Sequence, residues 1–460
     1  MRRFLICVSL WCCIAAISSR LLAAPPDAVR PNVIVILVDD FGWGDIGCYG
    51  NTLVKTPHLD QMAKEGTRFT QFYAASPICS PSRCGLLTGQ SPARWNITSF
   101  LQTRAGNKAC DMADFLDPTA PTMPRVLQSA GYATAHIGKW HLGGGRDVDN
   151  APKFTAYGYD RGIGTWESPE PHPDLTSTDW IWAKSDKVPR NERTAWMIDQ
   201  TLDFMKENSS KPCFVNLWLD DTHTPFVPSE EQLQGTEGFA KRPEVKKYAA
   251  VLTELDKQVG RLLGELRARK LDKNTLVILY GDNGALPTFE QVRNGGLRGS
   301  KLCLYEGGIR VPCIAWWPEH VTANNVDETT VLSAFDLLPS LSKLCNAPLP
   351  KDYTSDGEDL IDVIFGVPTQ RQRPIFWEYG RNEKSFAYPK DAKHRSPVLA
   401  MRDGDWKLLV NADGSGAELY DLSKDRNEEQ NLAAKEPARV QEMTKAMMAW
   451  RKTWPVQVTK

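Results

Sequence analysis

Three strongly apolar runs do most to limit the folds open to this chain. They span residues 33–38, 213–219 and 275–280, and each ends abruptly in polar or acidic residues. Apolar runs without alternation are typical of strands that are buried on both faces of a parallel sheet. In such sheets, ligands bind beyond the carboxyl ends of the strands. The runs therefore predict an α/β fold whose functional residues follow the strands.

The rest of the chain predicts helices around this sheet and a smaller second unit. Helical spacing of apolar residues occurs at 56–65, 194–207 and 248–270. We therefore expect a large mixed, mostly parallel sheet sandwiched by helices. A polar stretch at 366–373 marks a boundary, and short strands with one final helix at 436–452 indicate an α+β subdomain of antiparallel strands. The expected units are a large domain, 25–367, and a C-terminal subdomain, 368–460.

The first 24 residues have the pattern of a secretory signal peptide. Arg2 and Arg3 precede an apolar run at 4–17, and small residues follow it. The run is too short to span a bilayer comfortably, so we expect a periplasmic or secreted protein without a stable membrane anchor. Three of the eleven cysteines lie in this segment, and the pairing of the others cannot be deduced from their positions. A net charge of −1 gives no case for nucleic-acid binding.

Acidic and amide side chains follow two of the predicted strands. Asp39 and Asp40 come directly after the first run, and Asp282 and Asn283 follow the third. Adjacent carboxylates at the mouth of a buried strand repel each other unless a cation lies between them. Their oxygen atoms suit a hard cation such as calcium or magnesium, while a solvated turn is the ordinary alternative for each pair.

A reactive residue begins the string Cys-Ser-Pro-Ser-Arg-Cys-Gly-Leu-Leu-Thr-Gly, which starts at Cys79. The proline fixes a turn, and Leu86 and Leu87 predict a buried helix behind it. Cys79 then lies at the helix N-terminus, where the free N–H groups and the helix dipole polarise a thiolate or its oxidised successor. Arg83 adds a positive charge one turn further on. A lone cysteine is more often a small core residue, so the whole string carries the interpretation.

The string is similar to the signature of the type I sulfatases, in the alkaline phosphatase superfamily. A second string, Gly-Lys-Trp-His-Leu-Gly at 138–143, resembles the other signature of the family, and the similarity continues in order from Asn32 to Ala433. The resemblance implies an alkaline phosphatase-like fold, a sulfatase catalytic domain at 25–367 and hydrolysis of sulfate esters. It assigns catalytic roles to Cys79, Arg83, Lys139, His141, His223 and Lys301.

The resemblance also implies a modified residue and a metal. In this family the cysteine of the signature is converted to formylglycine (3-oxoalanine) by a formylglycine-generating enzyme or an anaerobic maturase. We therefore expect such an enzyme as a partner during biogenesis. The expected metal is one calcium ion, with magnesium the weaker candidate. Its ligands would be Asp39, Asp40, Cys79, Asp282 and Asn283.

The family mechanism uses both hydroxyls of the formylglycine hydrate. One would attack sulfur with Asp282 as proton acceptor, and His223 or Lys301 would protonate the leaving alcohol. His141 would then take the proton of the second hydroxyl, so that sulfate leaves and the aldehyde forms again. Arg83 and Lys139 would stabilise the charged oxygens.

Two other classes share part of this pattern. A phosphatase or phosphodiesterase of the same superfamily would share the fold, but it normally uses Ser or Thr and two transition metals. The Cys-x-Pro-x-Arg string and the scarcity of metal-type histidines argue against it. A non-catalytic protein that binds sulfated glycans would keep the aromatic residues without needing Cys79, Arg83 or Lys301, and all three are present.

The substrate is expected to be a sulfated small molecule or glycan, with a sulfated carbohydrate favoured. Export, fifteen tryptophans and a long excursion at 143–191, rich in Gly, Pro and Trp, support the carbohydrate. Within the excursion, Glu167 and Asp179 could contact substrate, although each is more often ordinary loop surface. The predicted substrate-binding residues are His172, Trp180 and Trp182.

Overall fold

The structure of the protein, a computed structural model, describes residues 30–380, 389 and 391–454. The predicted signal peptide lies outside these residues. Within the described part of the chain, no helix is long and apolar enough to cross a membrane. No disulfide joins any of the eight cysteines of this part, which run from Cys48 to Cys345.

Within the ranges that the structure describes, thirteen strands form two sheets. The larger sheet contains β1 (Asn32–Val38), β2 (Thr67–Tyr73), β3 (Ala133–Gly138), β4 (Arg161–Gly164), β5 (Cys213–Leu219), β6 (Thr275–Gly281), β7 (Arg310–Trp316), β8 (Asn325–Asp327) and β9 (Leu332–Ser333). The smaller sheet contains β10 (Ile375–Glu378), β11 (Leu399–Asp403), β12 (Trp406–Val410) and β13 (Glu418–Asp421).

Ten α-helices connect and cover these strands in the described residues. They are α1 (Pro57–Glu65), α2 (Cys79–Thr88), α3 (Arg104–Ala109), α4 (Met123–Ser129), α5 (Arg193–Glu207), α6 (Pro243–Ala268), α7 (Glu306–Ile309), α8 (Leu337–Leu344), α9 (Ile361–Ile364) and α10 (Pro437–Arg451).

The large sheet is mixed and mostly parallel, as the sequence predicts. Its order is β4-β3-β5-β1-β6-β7-β2-β8, with β9 also paired to β2. Strands β4, β3, β5, β1 and β6 are parallel neighbours, while β7 runs antiparallel to both β6 and β2. The apolar runs of the sequence form β1, β5 and β6, which lie side by side in the centre of the sheet.

Both faces of the central strand are buried, which explains why its sequence does not alternate. Val33, Val35 and Leu37 join one apolar cluster, whereas Ile34 and Ile36 join a second cluster on the other face. Helices α5 and α6 cover the second face, and α2, α4 and α8 pack in the first cluster. The predicted sandwich of helices around the sheet is therefore confirmed.

The C-terminal strands form a separate antiparallel sheet, β10-β11-β12-β13, followed by α10. Leu408 of β12 and Met447 of α10 belong to the same apolar cluster as Leu338 of α8. The fold class predicted for this region, antiparallel strands with one helix, is confirmed. The boundary at residue 367 stays a prediction, because apolar packing continues across it.

One strand lies where the sequence predicts only irregular chain. β4, Arg-Gly-Ile-Gly, pairs with β3 in parallel at the edge of the sheet. Two glycines in four residues give it no intrinsic strand preference. Its conformation is fixed by pairing with a strand that lies far from it in the sequence.

Candidate active site

The parallel strands bring charged residues from distant parts of the chain to one edge of the sheet. Asp39 and Asp40 follow β1, Asn283 lies just beyond β6, and Lys139 follows β3. Lys139 Nζ lies 2.6 Å from Asp39 Oδ2, and Asn283 Nδ2 donates to Asp40 Oδ1 at 2.8 Å. The predicted grouping of these residues is therefore present in the structure.

Buried cations surround the carboxylates. Arg83 donates to Asp282 Oδ2 at 2.8 Å, and its Nη2 also lies 3.4 Å from Asp39 Oδ1. Its guanidinium packs over the ring of Trp218 at 5.1 Å, which fixes its plane. Lys301 forms an ion pair with Asp40 Oδ1.

Three oxygen atoms in this group have no hydrogen-bond partner among the described residues. They are Asp39 Oδ1, Asp40 Oδ2 and Asn283 Oδ1, and all three are buried. A buried acceptor without a partner is costly, and burial of carboxylates requires pairing or a metal. Carboxylate and amide oxygens are ligands of hard cations such as calcium. The donor set therefore fits such an ion.

Cys79 lies beside Asp39 and Asp282. It is the first residue of α2 and is 3% exposed. Its Sγ and single oxygens of Asp39 and Asp282 all lie within 4.8 Å of one another. Arg83, Lys139 and Lys301 are close enough to interact electrostatically with the thiol, so an anion formed at position 79 would be surrounded by positive charge.

The carboxyl groups differ in how readily they ionise. Burial and the neighbouring Asp39 carboxylate raise the pKa of Asp282 well above its ordinary value, although Arg83 opposes them. Burial also acts to raise the pKa of Asp39, but Lys139, His223 and Arg83 outweigh it and hold that pKa well below its ordinary value. A divalent cation at the unpartnered oxygens would favour the ionised form of both.

His141 is held in an unusual backbone conformation, with φ at 54°. Its Nε2 lies 3.1 Å from the carbonyl oxygen of Leu101 and 3.4 Å from Glu167 Oε1. Burial lowers the pKa of His141 to about 4, even though Glu167 acts in the opposite direction. The ring is therefore neutral at pH 7 and can accept a proton.

His223 reaches the site from the loop after β5. Its side chain is partly exposed, and its Nε2 lies 3.9 Å from Asp40 Oδ2. Its Nδ1 donates to the carbonyl oxygen of Thr224 at 2.6 Å, which leaves Nε2 unprotonated in the neutral ring. Removal from solvent, together with the Lys139 charge, lowers the pKa of His223 to about 4.

Asp220 and Asp221 also follow β5, and their chemistry alone would allow a metal-binding role. In the structure Asp220 forms ion pairs with Arg190 and Arg193, and both partners are buried. Asp221 accepts a hydrogen bond from the hydroxyl of Thr194. These contacts anchor α5 and the preceding loop to the end of β5, so we assign both acids a structural role.

The three predicted substrate-binding residues lie in different environments. Trp180 is 58% exposed and packs against Trp166, with ring centres 5.4 Å apart. His172 is half-buried against Trp196, and its Nδ1 accepts from the backbone N–H of Asp174. Trp182 is half-buried in the same loop. Their contact with substrate stays a prediction.

Arg146 is a neighbour of the site that the sequence did not single out. Its Nη2 lies 2.7 Å from Glu167 Oε1, and its guanidinium packs over the ring of Trp166 at 4.9 Å. Trp166 also donates to Asp179 Oδ1 at 2.5 Å and contacts Trp180. A continuous series of contacts therefore leads from His141 to the exposed Trp180. No local pattern predicts it, because the partners meet across irregular loops.

Comparison with protein families gives two matches. A family model described as Sulfatase matches residues 31–347. A model described as N-sulphoglucosamine sulphohydrolase, C-terminal, matches residues 299–453. Together the two models cover the large sheet, the candidate site and the C-terminal sheet.

Individual sulfatases are similar to this protein over most of the chain. The N-acetylgalactosamine-6-sulfatase of Sus scrofa is 35% identical over 378 residues, covering 76% of this chain and 69% of that protein. The N-acetylgalactosamine-6-O-sulfatase of Bacteroides thetaiotaomicron is 28% identical, covering 91% of this chain and 92% of that protein.

Solved structures share the fold. A structure from work on glycosaminoglycan metabolism by Bacteroides thetaiotaomicron superposes with a TM-score of 0.74 at 26% identity, covering 92% of this chain and 100% of that one. The phosphonate monoester hydrolase of Agrobacterium radiobacter has a TM-score of 0.66 at 21% identity, covering 92% and 96% of the two chains. The second similarity concerns the fold alone.

Proposed function

This chain belongs to the type I sulfatases of the alkaline phosphatase superfamily, which are sulfuric ester hydrolases, and we propose that it removes O-sulfate from a sulfated carbohydrate. The reaction would use formylglycine at position 79 and one calcium ion. The observation that carries the proposal is the position of Cys79. It lies at a helix N-terminus beside the buried Asp39 and Asp282, and Asp39 Oδ1 has no hydrogen-bond partner among the described residues. Three cations, Arg83, Lys139 and Lys301, interact electrostatically with it.

The metal proposal depends on the unpartnered oxygens. When bound, calcium would supply positive charge that offsets the charge of the sulfate oxygens. Conversion of the Cys79 thiol to an aldehyde hydrate would replace sulfur by oxygen, which suits calcium better than a thiolate does. Asp39, Asp40, Asp282 and Asn283 would be the other ligands.

The remaining side chains would handle charge and protons. Arg83 and Lys139 are fixed by buried ion pairs, so they are in place before substrate binds and need no reorganisation. Lys301 would protonate the leaving alcohol, or His223 would do so once its Nε2 has taken up a proton, because the neutral ring carries its proton on Nδ1. His141, neutral at pH 7, would accept the proton whose loss from the formylglycine hydrate releases sulfate.

The carbohydrate proposal rests on the relatives and on the loop at 143–191, which contacts the site through Glu167. Two relatives are named for N-acetylgalactosamine 6-sulfate, so this sugar is the first substrate to test. The ring of Trp180 is exposed, and the series of contacts described above connects it to His141. Aromatic faces commonly stack on sugars. We propose Trp180 as a substrate contact, with His172 and Trp182 as further candidates from the same loop.

The N-terminal segment and the domain boundary complete the proposal. We propose that residues 1–24 direct export to the periplasm or the exterior, and that a maturase converts Cys79 during biogenesis. The catalytic unit would be 25–367, and the C-terminal subdomain would be 368–460.

The experiment compares sulfate release and phosphate release from a matched pair of aryl esters. The protein is co-produced with a formylglycine-generating enzyme, and Cys79→Ala is the control. We expect sulfate release that is lost on calcium chelation and absent from the mutant. Release of phosphate alone, or sulfate release by the mutant, would contradict the proposal.

Active enzyme would next be tested on sulfated saccharides, beginning with 6-sulfated N-acetylgalactosamine. Hydrolysis of at least one saccharide is expected. Binding without hydrolysis of any saccharide or aryl ester, in protein whose residue 79 is fully converted, would favour the non-catalytic glycan-binding alternative.

A further inference from the structure

We propose that Glu167 is a positioning residue that holds the ring of His141 with its proton on Nε2 and leaves Nδ1 as the proton acceptor. The proposal deepens the proposed function, because it concerns how His141 acts in that reaction. It specifies which ring nitrogen is basic and which residue determines this.

The contacts of the His141 ring define the proton position. Nε2 lies within 3.4 Å of two oxygens, the Leu101 carbonyl and Glu167 Oε1. A carbonyl and an ionised carboxylate can only accept hydrogen bonds, so the nitrogen between them must donate. A neutral imidazole carries one N–H, and Nδ1 therefore keeps its lone pair.

The other ring nitrogen is available for a substrate proton. His141 Nδ1 is buried and has no hydrogen-bond partner among the described residues. Leaving a buried acceptor unpaired costs stability. An unpaired Nδ1 is therefore expected if a group of the reaction donates its proton to this atom. Lys139 and Arg83, which interact electrostatically with Cys79, also act on this ring.

Glu167 contacts His141 in two ways. Its backbone carbonyl accepts a hydrogen bond from the His141 N–H at 2.9 Å, and its carboxylate approaches the ring. The first contact supports the left-handed backbone of His141, at φ 54°, which directs the ring. The second contact depends on the side chain and can be removed by mutation without losing the first.

The carboxylate of Glu167 is itself held in place. Its side chain is 9% exposed, and Arg146 Nη2 lies 2.7 Å from the same Oε1 that faces His141. Burial acts to raise the pKa of Glu167, but the charges near it outweigh burial and lower that pKa, so the group is ionised at pH 7. Arg146 is restrained in turn by stacking on Trp166.

The direct test measures the tautomer by ¹⁵N NMR of the histidine rings at pH 7.5. The full-length mature protein carries the Cys79→Ala substitution and ¹⁵N-labelled histidine, so the result does not depend on activity. The chain has seven histidines, and the signal lost in His141→Gln identifies the ring. We expect a protonated Nε2 and an unprotonated Nδ1. A protonated Nδ1 in this protein would overturn the proposal.

The kinetic test uses two substitutions of Glu167 and one control. Glu167→Gln keeps an acceptor oxygen at the position of Oε1, whereas Glu167→Met removes it with little change in length. Glu170→Gln makes the same chemical change on the same loop, at a residue paired with Lys153 rather than with the site. All three would be assayed on the aryl sulfate used to establish activity.

We expect Glu167→Met to lower kcat by about 10- to 100-fold, less than the full contribution of a general base, while KM changes little. Glu167→Gln should retain most of the activity, and Glu170→Gln should match wild type. Loss of kcat in Glu167→Met should accompany a mixture of tautomers in its NMR spectrum. Activity of Glu167→Met equal to the control would overturn the proposal.

Other outcomes also have definite meanings. If Glu167→Met lowers kcat but keeps the Nε2–H tautomer, the residue acts by packing and the proposal is wrong. If Glu167→Met does not fold, the tautomer of the Cys79→Ala protein and the kinetics of Glu167→Gln still decide. If wild-type enzyme releases no sulfate, the proposed function fails, while the NMR measurement still tests the tautomer.

Discussion

Replacement of Lys407 by methionine should destabilise the protein strongly, although the residue lies outside the candidate site. Lys407 Nζ lies 2.8 Å from Glu306 Oε1 and 2.9 Å from Glu428 Oε1, and all three side chains are 0% exposed. Glu306 also accepts from the hydroxyl of Tyr73 and pairs with Arg310. The lysine therefore forms ion pairs with two carboxyl groups that no solvent reaches.

The magnitude follows from these distances. At an effective dielectric constant of about 20, Coulomb's law gives about 6 kcal/mol of gross attraction for each contact. The cost of desolvating the lysine offsets much of this. Removing one partner of a buried ion pair costs about 3–5 kcal/mol net, because the remaining charge is left uncompensated. We expect Lys407→Met to lower the free energy of unfolding by this amount.

The loss should depend on pH. In the native protein, burial raises the pKa of Glu428 to about 7 even though Lys407 opposes it. Without Lys407 the folded-state pKa of Glu428 would rise further above its unfolded value, and that of Glu306 would rise from about 2, although Arg310 and Arg402 would still lower it. A carboxyl group whose pKa is higher in the folded state than in the unfolded state stabilises the fold at pH values below its unfolded-state pKa. This contribution is lost as the pH rises through its folded-state pKa. The deficit of Lys407→Met should therefore be smaller at pH 5.5 than at pH 8.

The assay is urea unfolding followed by tryptophan fluorescence at both pH values. Lys424→Met is the matched control, because Lys424 forms an ion pair of similar length with Asp421 but its side chain is 82% exposed. Its unfolding midpoint should stay near that of wild type. A loss below about 1 kcal/mol for Lys407→Met, or a deficit that grows on acidification, would refute the reasoning.

Further predictions concern the metal, the sheet and the loop. Chelation of calcium should lower the thermal midpoint, and adding calcium back should restore it. A ligand present at about 1,000 times its Kd stabilises the folded state by about 4 kcal/mol. Asn283→Leu should abolish this response to calcium. Gly138→Ala should lower expression and stability, because Gly138 has a φ of +118° and a Cβ there would lie 2.0 Å from the carbonyl oxygen of Trp218. Gly50 has a similar φ of +100° but lies in open space, so Gly50→Ala should lower stability much less. Trp180→Ala should raise KM for a sulfated saccharide while leaving aryl sulfate turnover and the thermal midpoint unchanged, because the ring is exposed; equal losses on both substrates would contradict this.

The strand ends show what the sequence could predict. β1, β5 and β6 were recognisable because strands buried on both faces need uninterrupted apolar residues, and parallel pairing then places Asp39 and Asp282 together. The expected grouping followed from the fold and needed no knowledge of side-chain contacts. The helix at Cys79 followed equally from a proline turn and two leucines.

The contacts between distant loops could not be predicted in this way. Lys407 and Glu306 are 101 residues apart, and polar residues of these types read as solvated surface unless the partner is known. The pairing of Arg146 with Glu167 depends on two irregular segments that have no periodic pattern. β4 is a strand because β3 lies beside it, and its own residues favour no strand.

We expect sulfate release only from protein whose residue 79 has been converted to formylglycine. The decisive measurement is the rate of aryl sulfate hydrolysis across protein samples with different degrees of Cys79 conversion, each degree determined by the mass of the peptide that carries residue 79. The rate should rise in proportion to the formylglycine fraction. It should be zero for unconverted protein and for Cys79→Ala. Equal rates in converted and unconverted samples would contradict a formylglycine mechanism.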